Sequence, residues 1–160
     1  MRAVVNASPL IFLTRIKRLD VLNQYREVLV PPEVVAEIER GLEAGHPEAL
    51  EVRRLVDEGG LHVRKAKRLR GEWNLDPGEA AVLALALREK VDEVIVDDRP
   101  AIAVAKYLGL RPVSVPFLLL RERRAARLTA QAFRGALDDL LAAGYFLSAD
   151  LYQRLLEGGR

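Results

Sequence analysis

The chain has 160 residues, of which 50% are hydrophobic and 30% are charged, and this suits one compact domain with a single core. It contains no cysteine, which excludes disulfide bonds, thiolate zinc sites and cysteine nucleophiles. The net charge is only +2, and no uninterrupted apolar run approaches the roughly 20 residues that cross a bilayer. We therefore expect a cytoplasmic protein that does not contact a membrane.

Short apolar segments rich in β-branched residues recur along the chain, and helical patterns separate them. Pro32 fits the first turn of a helix that reaches about Glu43, and Gly59 and Gly60 end the next helix. Residues 76–79 form a strong helix start before an apolar helix. The predicted strands are residues 3–5, 28–30, 61–63, 94–96 and 113–115, and the predicted helices are residues 10–16, 33–43, 48–58, 80–88 and 101–108.

The end of the chain, residues 117–157, is predicted to be helical with one break at Ala143 and Gly144. Strands separated by helices of about ten residues imply a mostly parallel sheet that is covered on both faces. We therefore predict an α/β fold, a Rossmann-like three-layer α/β/α sandwich. Residues 1–115 would form its core, and residues 116–160 would be a helical C-terminal extension of the same single domain, 1–160.

Several polar residues are predicted to meet at one edge of this sheet. Asn6 follows the first strand, and Asp97 and Asp98 follow the fourth, so all three lie at the carboxyl ends of strands, where parallel sheets bind ligands. Glu37 borders the apolar stripe of its helix, and Glu79 stands at the start of another. Carboxylates that share one site repel each other, and a hard divalent cation is the usual reason for such an arrangement.

Each of these acids also fits a structural role. Glu37 fits an ion pair with a neighbouring arginine at the edge of its helix. Glu79 completes a capping box with Asp76, and Asp98 fits the N-cap of the next helix. Because adjacent residues at a strand end point in opposite directions, we expect one of Asp97 and Asp98 to face the site and the other to cap the helix or support the site.

Other catalytic schemes lack their parts, because the chain has no G-x-S-x-G elbow, no P-loop, no G-x-G-x-x-G and no H-E-x-x-H. A phosphatase or nucleotide-binding domain of another kind would use the same acids but lacks a glycine-rich phosphate loop. Metal-assisted phosphodiester hydrolysis fits best. Residues 62–70 and 121–127 are the densest basic stretches, and phosphate binding and a solvated surface explain each equally well. Trp73, Tyr145 and Phe146 could stack on bases, but buried packing fits most of them better.

Four segments stand out when they are taken together in chain order: residues 4–11 (VVNASPLI), 30–38 (VPPEVVAEI), 78–80 (GEA) and 95–99 (IVDDR). They resemble PIN-domain proteins of the VapC-like group. The resemblance runs from about residue 3 to residue 115 and resumes near Gly144. It implies a metal-dependent endoribonuclease, typically a toxin that a small antitoxin protein neutralises and that forms a homodimer.

The resemblance also implies a set of site residues. Mg²⁺ or Mn²⁺ would be bound by the acidic residues together with Asn6, and Ser8 would support a metal-bound water. The basic residues would bind the RNA substrate. The implied catalytic acids are Glu37, Glu79, Asp97 and Asp98, and the predicted nucleic-acid-binding residues are Arg64, Lys65, Lys67, Arg68, Arg70 and Arg99.

One departure from the family pattern affects the predicted activity. The first acidic position, usually Asp, is Asn6 here. An amide oxygen still binds a hard cation but brings no negative charge, so the affinity for the ion should fall. The alternative to a ribonuclease is therefore a catalytically weak or inactive PIN-like module that binds nucleic acid or a protein.

Overall fold

The computed structural model describes residues 1–160 and contains a five-stranded, all-parallel sheet with eight α-helices. The predicted three-layer α/β/α fold is confirmed. The strands are β1 (Arg2–Val5), β2 (Glu27–Val30), β3 (His62–Val63), β4 (Glu93–Ile95) and β5 (Pro112–Val113). The helices are α1 (Ala7–Arg15), α2 (Pro32–Glu43), α3 (Glu48–Asp57), α4 (Pro77–Glu89), α5 (Arg99–Tyr107), α6 (Val115–Arg124), α7 (Ala130–Ala142) and α8 (Ala149–Gly158), and a 3₁₀ helix spans Leu19–Gln24.

The order of the strands, β3-β2-β1-β4-β5, places β1 at the centre of the sheet. Ala3 pairs with Val28 of β2 on one side and with Glu93 of β4 on the other. The chain builds outward from β1 to β3 and then crosses to the opposite side of β1 to form β4. In an open parallel sheet, this reversal opens a crevice beyond the carboxyl ends of the two strands, here β1 and β4.

A continuous core of 39 buried hydrophobic residues holds the layers together. Ala3, Val4 and Val5 of β1 are fully buried, as expected for a strand with both faces covered. Helix α2 contributes one apolar stripe, with Val34 and Ile38 buried, whereas α4 is buried at consecutive positions from Val82 to Ala86. Each buried Val or Leu side chain stabilises the fold by about 1.5 to 3 kcal/mol. No helix is long and apolar enough to cross a membrane.

The C-terminal region differs from the prediction in two places. Helix α6 begins at Val115, at the end of the segment predicted as the last strand, because Pro116 fits its first turn. The prediction of a single helix break is wrong, since α6 ends at Arg124 and α7 begins only after Thr129. Ala126 adopts a positive φ of 59° between them, and the Thr129 side chain accepts a hydrogen bond from the backbone of Ala132.

Candidate functional site

A cleft with a volume of about 780 Å³ lies at the carboxyl ends of β1 and β4. Residues from six separate segments of the chain contribute oxygen-bearing side chains to its wall. The fold therefore brings together every residue that the sequence put forward as a metal ligand, together with Ser8 and Arg99. These ligand candidates in the wall are Asn6, Glu37, Glu79, Asp97 and Asp98.

Asp97 is the most constrained carboxylate in the cleft. Its Oδ1 accepts hydrogen bonds from the backbone N–H of Val115, at 3.0 Å, and from the hydroxyl of Tyr145, at 2.7 Å. Its Oδ2 is buried and has no hydrogen-bond partner in the protein. Burial raises the pKa of Asp97, although both hydrogen bonds oppose this effect. A buried carboxylate oxygen without a partner is costly, so Oδ2 is the atom of the cleft that most needs a ligand.

Glu79 combines a structural role with a place in the cleft. Its backbone N–H donates to Oδ1 of Asp76 at 2.8 Å, and its Oε2 accepts from the backbone N–H of Asp76 at 3.1 Å. This is the predicted capping box at the start of α4. Burial raises the pKa of Glu79 to about 7, and the Asp76 and Asp98 carboxyl groups add to the rise, although the hydrogen bond from Asp76 opposes it. The cleft therefore concentrates acidic groups closely enough to disfavour the charged form of Glu79.

Asp98 acts as the N-cap of α5, where its Oδ2 accepts a long hydrogen bond of 3.5 Å from the backbone of Ala101. Its side chain is exposed and still lines the cleft. Asp97 therefore occupies the position that we expected for the residue facing the site, and Asp98 occupies the position expected for the cap. Both carboxylates nevertheless belong to the same wall.

Glu37 reaches the cleft from α2, and a glycine leaves room for it. A Cβ atom on Gly78 would lie 2.9 Å from Oε2 of Glu37 and 3.3 Å from Oδ1 of Asp76. Burial and the Asp76 carboxylate raise the pKa of Glu37, against the effect of Arg40. One neighbouring arginine that could pair with Glu37, Arg53, pairs with Glu39 instead. Gly78 thus allows the side chains of α2 and the start of α4 to approach each other.

Asn6 is buried, with 5% of its surface exposed. Its backbone N–H donates to the carbonyl of Ile95, which links the ends of β1 and β4. Its Oδ1 accepts a hydrogen bond from the backbone N–H of Ala7 at 2.9 Å and so caps α1. The amide is therefore fixed by the fold and adds no charge to the acids around it.

A family model described as DUF3368, PIN domain, matches residues 2–158. The chain belongs to the PIN-domain family. Its structure is similar to that of a PilT N-terminus domain protein, SSO1118, from the hyperthermophilic archaeon Sulfolobus solfataricus P2, with 21% sequence identity and a TM-score of 0.55 over 74% of this chain and 90% of that chain. This likeness concerns the fold alone. No curated protein matches the chain. PIN domains generally are nucleases and typically use divalent metal ions.

The C-terminal region of this PIN domain contributes more to the cleft than the sequence indicated. Tyr145 and Phe146, from the connection between α7 and α8, line it, as does Phe117 of α6. Buried packing was expected for most of the three aromatic residues named in the sequence analysis: Trp73 and Tyr145 are partly buried against the core, whereas Phe146 is 78% exposed. Two signals in the sequence pointed to this region: the likeness to the family near Gly144, and the possibility that Tyr145 and Phe146 stack on bases.

The fold does not bring the first basic stretch into the acidic cleft. Arg64, Lys65, Lys67, Arg68 and Arg70 are all exposed, and of the predicted nucleic-acid-binding residues only Arg99 lines the cleft. Lys67 and Arg68 instead line a second groove of about 780 Å³, which also contains Trp73. Glu33, Glu72 and Asp76 line this second groove as well, so it carries both signs of charge. The two cavities share Asp76 and are therefore adjacent.

Part of the second basic stretch stabilises the fold instead of facing a ligand. Arg121 forms two hydrogen bonds of 2.9 Å with the carboxylate of Glu93, which is 1% exposed. Arg127 pairs with Glu122 at 2.7 Å, and Arg124 donates to the carbonyl of Gly158. These side chains are held by protein partners, so residues 121–127 offer less free positive charge than the sequence suggests.

The oxygen ligands of the cleft fit a hard divalent cation, although the protein groups do not surround the ion completely. No three carboxylate or imidazole groups lie close enough together to hold an ion by themselves. Mg²⁺ usually keeps several waters and binds through one or two carboxylates. The cleft of the PIN domain offers oxygen donors in its acidic wall, and Asp97 Oδ2 lacks a partner. These residues therefore fit Mg²⁺ or Mn²⁺ that is bound largely through water.

Proposed function

We propose that this PIN domain is a metal-dependent endoribonuclease that hydrolyses phosphodiester bonds of RNA. One observation carries the proposal: five acidic side chains from distant parts of the chain line one cleft, and the buried Oδ2 of Asp97 has no hydrogen-bond partner in the protein. Repulsion between such groups is costly for a fold. A site for a divalent cation explains why the fold keeps them together, and the general activity of PIN domains supports the same conclusion.

In this proposal, Mg²⁺ or Mn²⁺ would be held directly or through water by Glu37, Glu79, Asp97, Asp98 and Asn6. The bound ion supplies Lewis acidity and lowers the pKa of a water nucleophile. Ser8 orients water in the wall by hydrogen bonding, and Arg99 binds a phosphate oxygen of the substrate. The exposed basic residues Arg64, Lys65, Lys67, Arg68 and Arg70 bind RNA beyond the cleft.

The proposal is tested by incubating the purified protein with end-labelled RNA and Mn²⁺. We expect discrete cleavage products that disappear when EDTA is added. Asp139→Asn serves as a matched control, because Asp139 is exposed on α7 and does not line the cleft; this variant should cleave at the wild-type rate, whereas Asp98→Asn should not cleave. Products that persist in EDTA, or an active Asp98→Asn variant, would contradict the proposal.

A second candidate function is a binding module that does not cut RNA. Asn6 favours it, because this buried amide stands at the first acidic position of the family pattern but carries no charge. Its oxygen also already caps α1. A gel-shift experiment separates the two candidates. An RNA that binds tightly and stays intact with Mn²⁺ for hours would favour the binding module.

We further propose that the protein is the toxin of a toxin–antitoxin pair, that it is neutralised by a small antitoxin protein and that it forms a homodimer. The support is the resemblance of four segments to the VapC-like group. A short reading frame beside the gene that encodes a DNA-binding protein, and inhibition of RNA cleavage by that protein, would be the expected findings. An isolated gene whose expression leaves cell growth unchanged would oppose the toxin role.

A further inference from the structure

The hydroxyl of Tyr145 contacts a cleft residue that is distant from it in the sequence. It donates to Oδ1 of Asp97 at 2.7 Å, although the two residues are 48 positions apart. The backbone N–H of Val115 donates to the same oxygen at 3.0 Å. Two donors on Oδ1 leave Oδ2 as the oxygen without a partner.

The environment of Tyr145 fixes the position of its ring. The ring of Phe12, from α1, packs edge-on against it, with the ring centres 5.1 Å apart and the planes at 78°. Gly144 precedes it with a φ of 91°, which a residue with a side chain rarely adopts. Phe146, the next residue, is exposed. After the turn at Gly144, the side chain of Tyr145 reaches Asp97, whereas the ring of Phe146 stays at the surface.

Without the hydroxyl, one hydrogen bond would hold the Asp97 carboxylate. The two oxygens of a carboxylate are chemically equivalent, and rotation about the last side-chain bond exchanges them. A single donor would leave this rotation less restricted. Two donors from different elements, the start of α6 and the connection between α7 and α8, fix which oxygen stays available.

We propose that Tyr145 is a positioning residue of the cleft, which fixes Asp97 so that Oδ2 is presented to a divalent cation. The inference rests on the proposed function, because it assumes that Asp97 is a ligand. It assigns a role in the site to the C-terminal extension: residues 116–160 supply Tyr145, which orients a metal ligand together with the backbone N–H of Val115 at the end of the core. Partners that orient a ligand in this way commonly change metal affinity by 10- to 100-fold when they are removed.

The test compares Tyr145→Phe with Tyr152→Phe in the full chain. The first substitution removes the hydroxyl but keeps the ring against Phe12. The second removes a hydroxyl that donates to Asp138 Oδ1 at 2.6 Å, on the surface and outside the cleft. We expect Tyr145→Phe to bind Mn²⁺ about tenfold more weakly by calorimetry, and Tyr152→Phe to bind it as the wild type does.

Thermal unfolding separates positioning from packing. We expect Mn²⁺ to raise the Tm of the wild type, since ligands that bind the native state stabilise it, and to raise the Tm of Tyr145→Phe by less. Tyr145→Leu, which also removes the ring, should lower the Tm without Mn²⁺ while weakening Mn²⁺ binding no more than Tyr145→Phe does. Equal Mn²⁺ affinity in Tyr145→Phe and the wild type would overturn the inference.

The measurements also separate this inference from the proposed function. Mn²⁺ binding that depends on Tyr145, in a protein that never cleaves RNA, would leave the inference standing and overturn the ribonuclease proposal. Mn²⁺-dependent cleavage with equal affinities in both proteins would overturn the inference alone. A wild-type protein that binds no Mn²⁺ would overturn both.

Discussion

Asn6 shows how one neutral side chain changes the electrostatics of the cleft. It lies at the end of β1, where the backbone of Ile95 and the amide of Ala7 fix its position. The pKa values of Glu37, Glu79 and Asp97 in the same cleft are all raised, and burial is the main cause in each case. A further carboxylate at this position would add repulsion in the absence of a cation and attraction in its presence.

We predict that Asn6→Asp binds Mn²⁺ about tenfold more tightly, because one additional charged oxygen ligand strengthens the binding of a hard cation. Calorimetric titration of the two proteins measures the change, and the rate of RNA cleavage should rise with it. Asn23→Asp is the control, since Asn23 is exposed and lies outside the cleft. Equal or weaker Mn²⁺ binding by Asn6→Asp would show that residue 6 does not face the ion.

At the scale of single residues, the sequence identified four of the five acids that line the cleft, with Asp76 expected only as a helix cap, and it missed the contact between Tyr145 and Asp97. Acids at strand ends and helix starts leave a local signal, because those positions define the edge of a parallel sheet. The contact between Tyr145 and Asp97 joins residues far apart in the chain and depends on how α7 and α8 pack. No local pattern encodes that packing.

Two helix N-termini place acids in the cleft while also needing those acids as caps. Glu79 forms the capping box of α4 with Asp76, and Asp98 caps α5. A substitution that removes the cap together with the charge would confuse loss of folding with loss of function. Gln in a capping box and Asn at an N-cap retain most of the capping ability, so the amides separate the two roles.

We predict that Glu79→Gln and Asp98→Asn each abolish detectable RNA cleavage while the Tm stays within a few degrees of the wild type. Both substitutions keep the helix caps, and the loss of one repulsive charge offsets small losses of stability elsewhere. Cleavage assays and thermal unfolding monitored by circular dichroism measure the two effects on the same samples. A large fall in Tm for either variant would favour a purely structural role for that carboxylate.

At the scale of elements, the sequence predicted all five strands and most helices, because β-branched runs, prolines and glycines mark their ends. It missed the break between α6 and α7. There Ala126, a residue with no preference for positive φ, takes a φ of 59°, and Thr129 provides the cap. Tertiary packing of the C-terminal helices imposes that turn, so composition alone does not reveal it.

The whole molecule carries a second charged cluster at the end of the sheet away from the cleft. Glu93 begins β4 and is almost fully buried, where it accepts hydrogen bonds from Arg121 of α6 and from the hydroxyl of Tyr25. Burial raises the pKa of Glu93, but the hydrogen bonds from Arg121 and Tyr25 outweigh it and leave the pKa below its ordinary value of 4.5. The cluster ties β4, α6 and the chain before β2 together.

This cluster makes stability depend on pH. Because the pKa of Glu93 is lower in the folded state than in the unfolded state, its contribution is fully present above about pH 4.5 and is lost as the pH falls through the lowered value. We predict that Glu93→Gln is less stable than the wild type by about 3 kcal/mol at pH 7, since it leaves Arg121 without a charged partner. The difference should shrink below pH 4.

Urea unfolding between pH 3 and 7 measures this dependence. Glu39→Gln is the control, because the ion pair between Glu39 and Arg53 is about half exposed and such surface pairs contribute little, on the order of 0.5 kcal/mol. Activity should be unchanged by the control. If Glu93→Gln and the wild type lost stability in parallel on acidification, another group would be responsible for the acid dependence.

At the scale of the whole fold, the sheet and its layers followed from the alternation of strands and helices, and the site followed from polar residues at the carboxyl ends of the strands. The roles of the basic stretches did not follow. Arg121 and Lys67 look equivalent in the sequence, yet one is held by a buried carboxylate and the other is exposed beside a groove. Only the three-dimensional neighbours of each arginine or lysine distinguish the two.

The two edge strands of the sheet are each only two residues long, β3 and β5. Pro112 of β5 has no N–H to donate, and such short edges with few free backbone donors provide a poor template for extending a sheet. Self-association by pairing of strands, including the route to amyloid-like aggregates, is therefore disfavoured. Two copies of the chain that meet in solution are expected to do so through helical surfaces, and a cross-linking map of a dimer should contain helix residues instead of strand edges.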